Sequence, residues 1–388
     1  MEKRILYYTW NENSCEDCVT SLRALGAKVR LFEHRLSSYV TDGDFSEALK
    51  KELQKGYDLI FTFNFFPIIS DMAEEMGLPY VFWVYDSPHH TLESESLKNS
   101  CNKGFLFDRA LLDRYNSEGI SNLFHMPLPC NTDRLNKVTS RIPSDIIHSD
   151  ISFIGSLYTG QKDLYSRVSF LPDELRGYLS GIMQAQKLIY GLDLPDELMT
   201  DDICETMSRY VKADLGPGFN NCRYNILRDI VRTHVTAMER KELLILLAEF
   251  GKMYDYSVDL YSEQPLKGTS VNYRGIAENS TQMPQIFAAS KINLNLTLRS
   301  IKSGIPLRVI DILGSGGFCM TNYQAELPEY FECGQDIVWF ESREDLLEKA
   351  VYYLNNDEER SQIAYRGHEL AAKIFDYKVL LPRILAQI

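Results

Sequence analysis

Nowhere does the chain offer the roughly 18 to 20 consecutive apolar residues that a membrane-spanning helix requires. Its richest runs, Tyr80 to Tyr85 and Leu243 to Ala248, have the length of core elements, so no transmembrane segment is expected. Glycine and proline are also sparse, 22 and 14 in 388 residues, which excludes fibrous and low-complexity classes. Basic residues are outnumbered, 41 Lys and Arg against 54 Asp and Glu, for a formal charge of -13. A surface of that sign repels nucleic acid and anionic membrane, although a local basic pocket for a small phosphate stays allowed. The eight cysteines, at 15, 18, 101, 130, 204, 222, 319 and 333, are scattered, unlike a secreted disulfide scaffold. The opening MEKRILYYTW runs into a strand rather than a cleavable leader, so a reducing, cytoplasmic compartment is expected. Cys15-Glu-Asp-Cys18 has redox or zinc spacing, but no second Cys or Cys/His pair accompanies it. Two small, half-buried side chains at a helix start are the better reading, and no metal site is expected.

What is present is a sustained β-α rhythm. Arg4 to Thr9, Lys28 to Phe32, Asp58 to Phe63, Tyr80 to Val84 and Lys103 to Phe107 read as strands, with helical periodicity between them, and a short apolar run, Leu123 to Met126, follows. A polar stretch, Thr132 to Ser149, interrupts the pattern; the rhythm restarts at Asp150 to Ile154 and resumes after a long helical region, about 173–249. A chain of this length exceeds one ordinary core, and alternation of this kind builds parallel sheets covered by helices. The expectation is α/β, with two doubly wound Rossmann-like domains facing a cleft. Their bounds are 1–135, a linker 136–149, and 150–375 with the helical insertion, followed by a C-terminal segment 376–388 packing back on the first domain.

The most informative stretch is Lys291 to Gly317. A buried strand ends in a polar loop with Arg299, Lys302 and Gly304, and a helix opens near Pro306. Backbone N–H groups at a helix start, beside a cation, suit a pyrophosphate. Asp311, further along the helix, is placed to accept hydrogen bonds from ribose hydroxyls, and Gly314-Ser-Gly-Gly317 permits a sharp turn close to the ligand. Spacing alone leaves an ordinary β-α-β crossover equally open.

The segment Asn293 to Phe340 resembles the donor-binding portion of the CgeB-like (spore-maturation type) glycosyltransferases, a group-1-like branch with the GT-B architecture. Asp58 to Pro67, Tyr80 to His89, Phe107-Asp-Arg109 and Met126 to Pro129 resemble the N-terminal domain that commonly precedes it. The resemblance implies a nucleoside-diphosphate sugar as donor, UDP-linked in preference, with no tightly bound cofactor, no metal, and retention of anomeric configuration. Asp311 falls where the family holds the ribose with the second Glu of E-x7-E, and Ser303 replaces the first Glu. The loop Ser303, Gly304, Ile305 and Pro306 would cradle the phosphates, and Arg299 or Arg308 would neutralise them. Gly155 and Ser156 would close over the diphosphate, and Gly275 and Ile276 would meet the base.

On the acceptor side, Asp86-Ser-Pro-His-His90 follows a strand, so Asp86 or His89 is a candidate base. Asp17, Asn11 and Glu12 are rivals after the first strand. Asn64, Pro67, Asp108 and Arg109 mark other strand ends, and Phe65, Phe66, Trp83 and Tyr85 are candidates for stacking on sugar rings or for the core. The acceptor is expected to be a hydroxyl on a glycan, lipid or protein. A non-catalytic sugar-nucleotide-binding protein and a GT-B-like epimerase are the alternative classes.

Overall fold

The computed structural model describes residues 3–160, 163–211 and 222–388. Two compact units divide them. The first holds six strands, β1 (Arg4–Tyr8), β2 (Lys28–Phe32), β3 (Leu59–Phe63), β4 (Tyr80–Val84), β5 (Asn102–Leu106) and β6 (Leu123–His125). All pair in parallel, in the order β2-β1-β3-β4-β5-β6. The central strands LIFTF and YVFWV are buried at every position, as expected where helices cover both faces. Alternate side chains divide between two cores: Leu6, Tyr8, Ile60 and Phe82 on one face, Ile5, Tyr7, Phe61 and Trp83 on the other. The second core is completed by the helix Tyr377–Leu385, whose Tyr377, Leu380, Leu381 and Ile384 are buried. Its entry is fixed by reciprocal backbone bonds, Cys130 N to Phe375 O at 2.9 Å and Tyr377 N to Cys130 O at 3.0 Å.

Gly104 shows how tightly this sheet is covered. A Cβ there would lie 2.4 Å from Phe82 Cζ and from Leu123 Cδ2. Gly104→Ala is therefore expected to destabilise the protein by about 1–3 kcal/mol, seen as a lower urea midpoint. An unchanged midpoint would mean that both neighbours yield without cost.

The second unit carries β7 (Ile151–Ile154), β8 (Val258–Tyr261), β9 (Asn272–Gly275), β10 (Ile292–Asn295), β11 (Cys319–Asn322) and β12 (Val338–Phe340). These pair in parallel in the order β12-β11-β10-β7-β8-β9. The polar stretch after Asn131 opens with a helix, Thr132–Thr139, which packs on the helix Gln282–Ala289 of this unit. Between β7 and β8 lie the helices Asp173–Gln186, Leu194–Leu198, Asp201–Ser208 and Thr233–Tyr254. The expected helical region also spans residues 212–221, which lie outside the described residues. The insertion has a core of its own, with Leu179, Ile182, Met207 and Ile230 buried. Among the described residues no helix is long and apolar enough to cross a membrane.

Candidate functional site

In an open parallel sheet, ligands bind beyond the carboxyl ends of the strands where the strand order reverses. In the second unit that point lies between β7 and β10. β7 runs into Gly155 and Ser156, and β10 into Leu296 to Ser300. Arg240, on the helix Thr233–Tyr254, reaches both: its Nε donates to Leu296 O at 3.1 Å and its Nη1 to Ser156 O. The guanidinium lies over the rings of Phe153 and Tyr158, 5.4 and 5.1 Å from their centroids. Tyr158 holds the left-handed φ of 52°, a conformation uncommon for an aromatic residue. Among the described residues no carboxylate forms an ion pair with Arg240. Burial lowers its pKa from the ordinary guanidinium value, and nearby Arg308 pushes the same way.

The helix Leu307–Gly314 opens at the same strand ends, with Pro306 as its cap residue and no side-chain cap bond. The loop before it is held from beneath. Ser303 Oγ donates to Glu326 Oε1 at 2.7 Å, and Glu326 N donates to Ser303 O at 3.1 Å. Gln324 Nε2 donates to Ile301 O and Gly304 O, both at 3.3 Å. Arg308 sits 3.5 Å from Asp311, against the ring of Phe287 and the sulfur of Met283. Burial draws its pKa down as well. Two cations with lowered pKa thus share a strand edge that also offers a helix N-terminus, an arrangement chemically suited to a multiply charged anion.

Gly155, Ser156, Ser303, Gly304, Ile305, Pro306, Arg308 and Asp311 belong to the two strand ends of the switch point and the helix that follows. Gly275 and Ile276 end β9, two strands out from β7; Gly275 has φ 83° and Ile276 is 71% exposed. Arg299 departs from expectation. Its Nε and Nη2 bind Glu239 at 2.8 and 2.7 Å, its Nη1 binds Ile189 O at 2.9 Å, and its guanidinium covers Tyr190 at 4.4 Å. That charge is already balanced within the protein. Lys302 likewise pairs with Asp193 and Asp196. The Gly314–Gly317 turn is not near the ligand edge: it lies at the amino end of β11, because the preceding helix runs antiparallel to the strands. Gly317 serves packing there, since a Cβ would come 2.7 Å from Phe287 O, and Gly316 supplies the turn's φ of 77°.

Arg240, Glu239, Tyr158 and Glu326 were not singled out from the sequence. A signal existed for two of them: Thr236, Glu239, Arg240, Leu243 and Leu247 form one buried helical stripe, and charges on such a stripe need a partner or a task.

In the first unit the strand order reverses between β1 and β3. A cavity of about 570 Å³ opens there, lined by Thr9, Trp10, Asn11, Asn64, Phe66 and His89 among others. Asn11 and Asn64 have φ of 67° and 60°. Asn64 Oδ1 accepts from Tyr85 N at 3.1 Å, and its Nδ2 donates to Asp86 Oδ2 at 2.8 Å. Thr91 Oγ1 donates to Phe65 O at 2.6 Å, so it must accept from His89 Nδ1, also at 2.6 Å. The neutral ring is then protonated at Nδ1, which leaves Nε2 as its acceptor atom.

The rival bases are engaged elsewhere. Glu12 is buried and accepts from Tyr7 Oη, Thr9 Oγ1 and Trp10 N at 2.6, 3.0 and 3.0 Å. Asp17 accepts from Asn131 Nδ2 at 2.9 Å and does not line the cavity. Asp108 is buried and accepts from Ser87 Oγ at 2.9 Å, Arg109 Nη2 lies 3.4 Å from His125 Nδ1, and Pro67 starts the helix Pro67–Met76. Phe65, Phe66 and Trp83 are core residues, whereas Tyr85 stacks on Trp10. Among the described residues no three His, Cys, Asp or Glu side chains converge as metal ligands.

Residues 240–386 match the family model described as glycosyl transferase-like. The matched segment begins at Arg240 and includes Ser303, Arg308, Asp311 and Glu326. No curated protein sequence matches the chain. Among solved structures, a sucrose-phosphate synthase from Thermosynechococcus elongatus has TM-score 0.54 and 8% identity, covering 99% of this chain and 98% of that one. A UDP-forming α,α-trehalose-phosphate synthase from Burkholderia xenovorans has TM-score 0.54 and 11% identity, covering 100% and 98%. Anabaena HepE in complex with UDP-glucose has TM-score 0.53 and 10% identity, covering 99% of both chains. The chain has the glycosyltransferase-like GT-B architecture, with two six-stranded parallel sheets and flanking helices.

Proposed function

We propose that the protein is a CgeB-like glycosyltransferase of the cytoplasm, moving a sugar from a UDP-linked donor to a hydroxyl on a glycan, lipid or protein. The observation that carries this reading is the pair Arg240 and Arg308, set at the switch point of the C-terminal unit within the segment that matches the glycosyl transferase-like model. A nucleoside diphosphate brings its negative charge to this edge. Its phosphates meet Arg308 and the Ser303–Pro306 loop, beside Gly155 and Ser156, while Asp311 holds the ribose and Gly275 and Ile276 meet the base. Arg299 acts indirectly, by tying the donor loop to the helical insertion. The UDP-glucose bound to Anabaena HepE supports uracil as the base.

In the transfer, the bond from the sugar's anomeric carbon to the diphosphate oxygen breaks, and its electron pair leaves on the diphosphate. The acceptor oxygen bonds to that carbon, and its proton passes to a base. His89, with Nε2 as acceptor, fills this role best, and Asp86 is the second candidate. Arg308 and the N-terminus of its helix would hold the diphosphate without a metal. The carboxylate absent from position 303 is supplied from Glu326, 2.7 Å from Ser303 Oγ. Retention of configuration follows from the resemblance to group-1 enzymes.

A panel of nucleotide sugars screened for thermal stabilisation tests the reading, because a ligand at 100 times its Kd adds about 2.7 kcal/mol. Asp311→Ala is expected to weaken UDP binding about tenfold to a hundredfold. His89→Ala should spare that binding and lower turnover by about 10²- to 10⁴-fold. Wild-type UDP affinity in Asp311→Ala would remove the ribose assignment.

A further inference from the structure

The cavity of the first unit has a chemistry unlike that of the Arg240–Arg308 edge. Among the described residues of its lining only Glu33 and Arg35 carry formal charge, and the two are of opposite sign, so no cationic cradle for a phosphate or an acidic headgroup is found among them. The lining sets Leu36 and the aromatic Tyr8, Trp10, Tyr39 and Phe66 beside hydroxyls, amides and imidazoles on every contributing loop. The volume, about 570 Å³, lies inside the roughly 300–1,000 Å³ range of small-ligand pockets.

One wall is an aromatic plate. Trp10 is 38% exposed, yet its indole is immobilised twice. Nε1–H donates to Phe63 O at 3.3 Å, and the ring stacks on Tyr85 at 6.1 Å with an interplanar angle of 6°. An exposed indole held flat from behind offers a surface that loses little entropy on binding. The C–H face of a pyranose fits such a plate, while its hydroxyls require donors and acceptors at the rim. Asn11, exposed and left-handed, places an amide there, and His89 presents an imidazole with Nε2 as acceptor.

We infer that this cavity is a binding site for an uncharged saccharide of one or two rings, with Trp10 as the stacking platform and His89 accepting from a ring hydroxyl. That the bound sugar is the acceptor of a transfer rests on the glycosyltransferase reading; that the cavity takes a neutral sugar does not.

Saturation-transfer NMR on the full chain, without nucleotide, tests it. Probes are methyl glucosides, methyl galactosides, N-acetylglucosamine, maltose and lactose at millimolar concentration, with glucose 6-phosphate, UDP and octyl glucoside as contrasts. A neutral sugar should bind, with the strongest transfer to its axial C–H protons. Trp10→Ala should weaken that binding about tenfold or more, and Trp10→Phe should keep most of it. UDP affinity should be equal in all three proteins. Absence of binding by every neutral sugar overturns the inference. So does a preference of this site for the phosphorylated sugar, the nucleotide or the alkyl chain, or undiminished sugar binding in Trp10→Ala. A protein that binds neutral sugar through Trp10 but no nucleotide would keep the saccharide site and lose the transferase reading.

Discussion

Arg308→Ala is expected to raise the Kd for UDP about tenfold to a hundredfold, the worth of one or two charge-assisted hydrogen bonds. The unliganded protein should melt close to wild type. Both halves follow from the site. The guanidinium stands at the second position of the helix Leu307–Gly314, where its charge adds to that of the helix N-terminus. Among the described residues its contacts are a long one to Asp311, 3.5 Å, the sulfur of Met283 and the ring of Phe287. Its side chain is 28% exposed, so truncation strands no strong partner. Arg308→Lys should retain part of the affinity, because the charge survives while the planar fork is lost. Calorimetric titration at low and high salt would read both variants. Equal Kd in wild type and Arg308→Ala would show that the diphosphate does not sit at this helix.

Arg299→Met should behave in the opposite way, with a large loss of stability, about 3–5 kcal/mol. Arg299 and Glu239 are 9% and 4% exposed at their side chains, and both oxygens of Glu239 are engaged by the guanidinium. Tyr190 Oη donates to the same carboxylate at 2.7 Å. Removing the cation leaves a carboxylate buried with one phenolic donor. Urea unfolding should show the loss, and the double variant Arg299→Met/Glu239→Leu should recover a substantial part of it, since neither charge then remains. A single variant as stable as wild type would mean that water reaches Glu239. Because Arg299 also holds Ile189 O in the insertion and lies in the loop after β10, nucleotide affinity should fall together with stability. In Arg308→Ala the two effects separate.

These two arginines show why the site was only partly legible. Both stand in the same loop-helix segment, both are basic, and from the text each was an equal candidate for the diphosphate. What distinguishes them is Glu239, 60 residues away in sequence, on a helix whose crossing of the sheet brings one charge to Arg299 and the next residue, Arg240, to the strand ends. Arg240 sat unnoticed on an otherwise apolar stripe. Glu326 was equally silent, because its meaning comes from the Ser303 hydroxyl, 23 residues distant. His89 and Asp86 could be nominated from their place after a strand. The choice of Nε2 as the acceptor atom, however, depends on Thr91 already giving its proton to Phe65 O.

By itself the sequence determined the alternation of strands with helices and the central strands of the first sheet, because buried parallel strands such as LIFTF and YVFWV are near-continuous apolar runs of five residues with Gly or polar breaks between them. Alternation in turn implied parallel sheets and ligands at the strand ends. Strand order, and with it the location of each switch point, required the tertiary structure, since local periodicity carries no information about which strands become neighbours. The same holds for the division of labour among the cations. Whether a guanidinium is spent on a neighbour or left for a ligand is decided by charges distant in the chain and near in space.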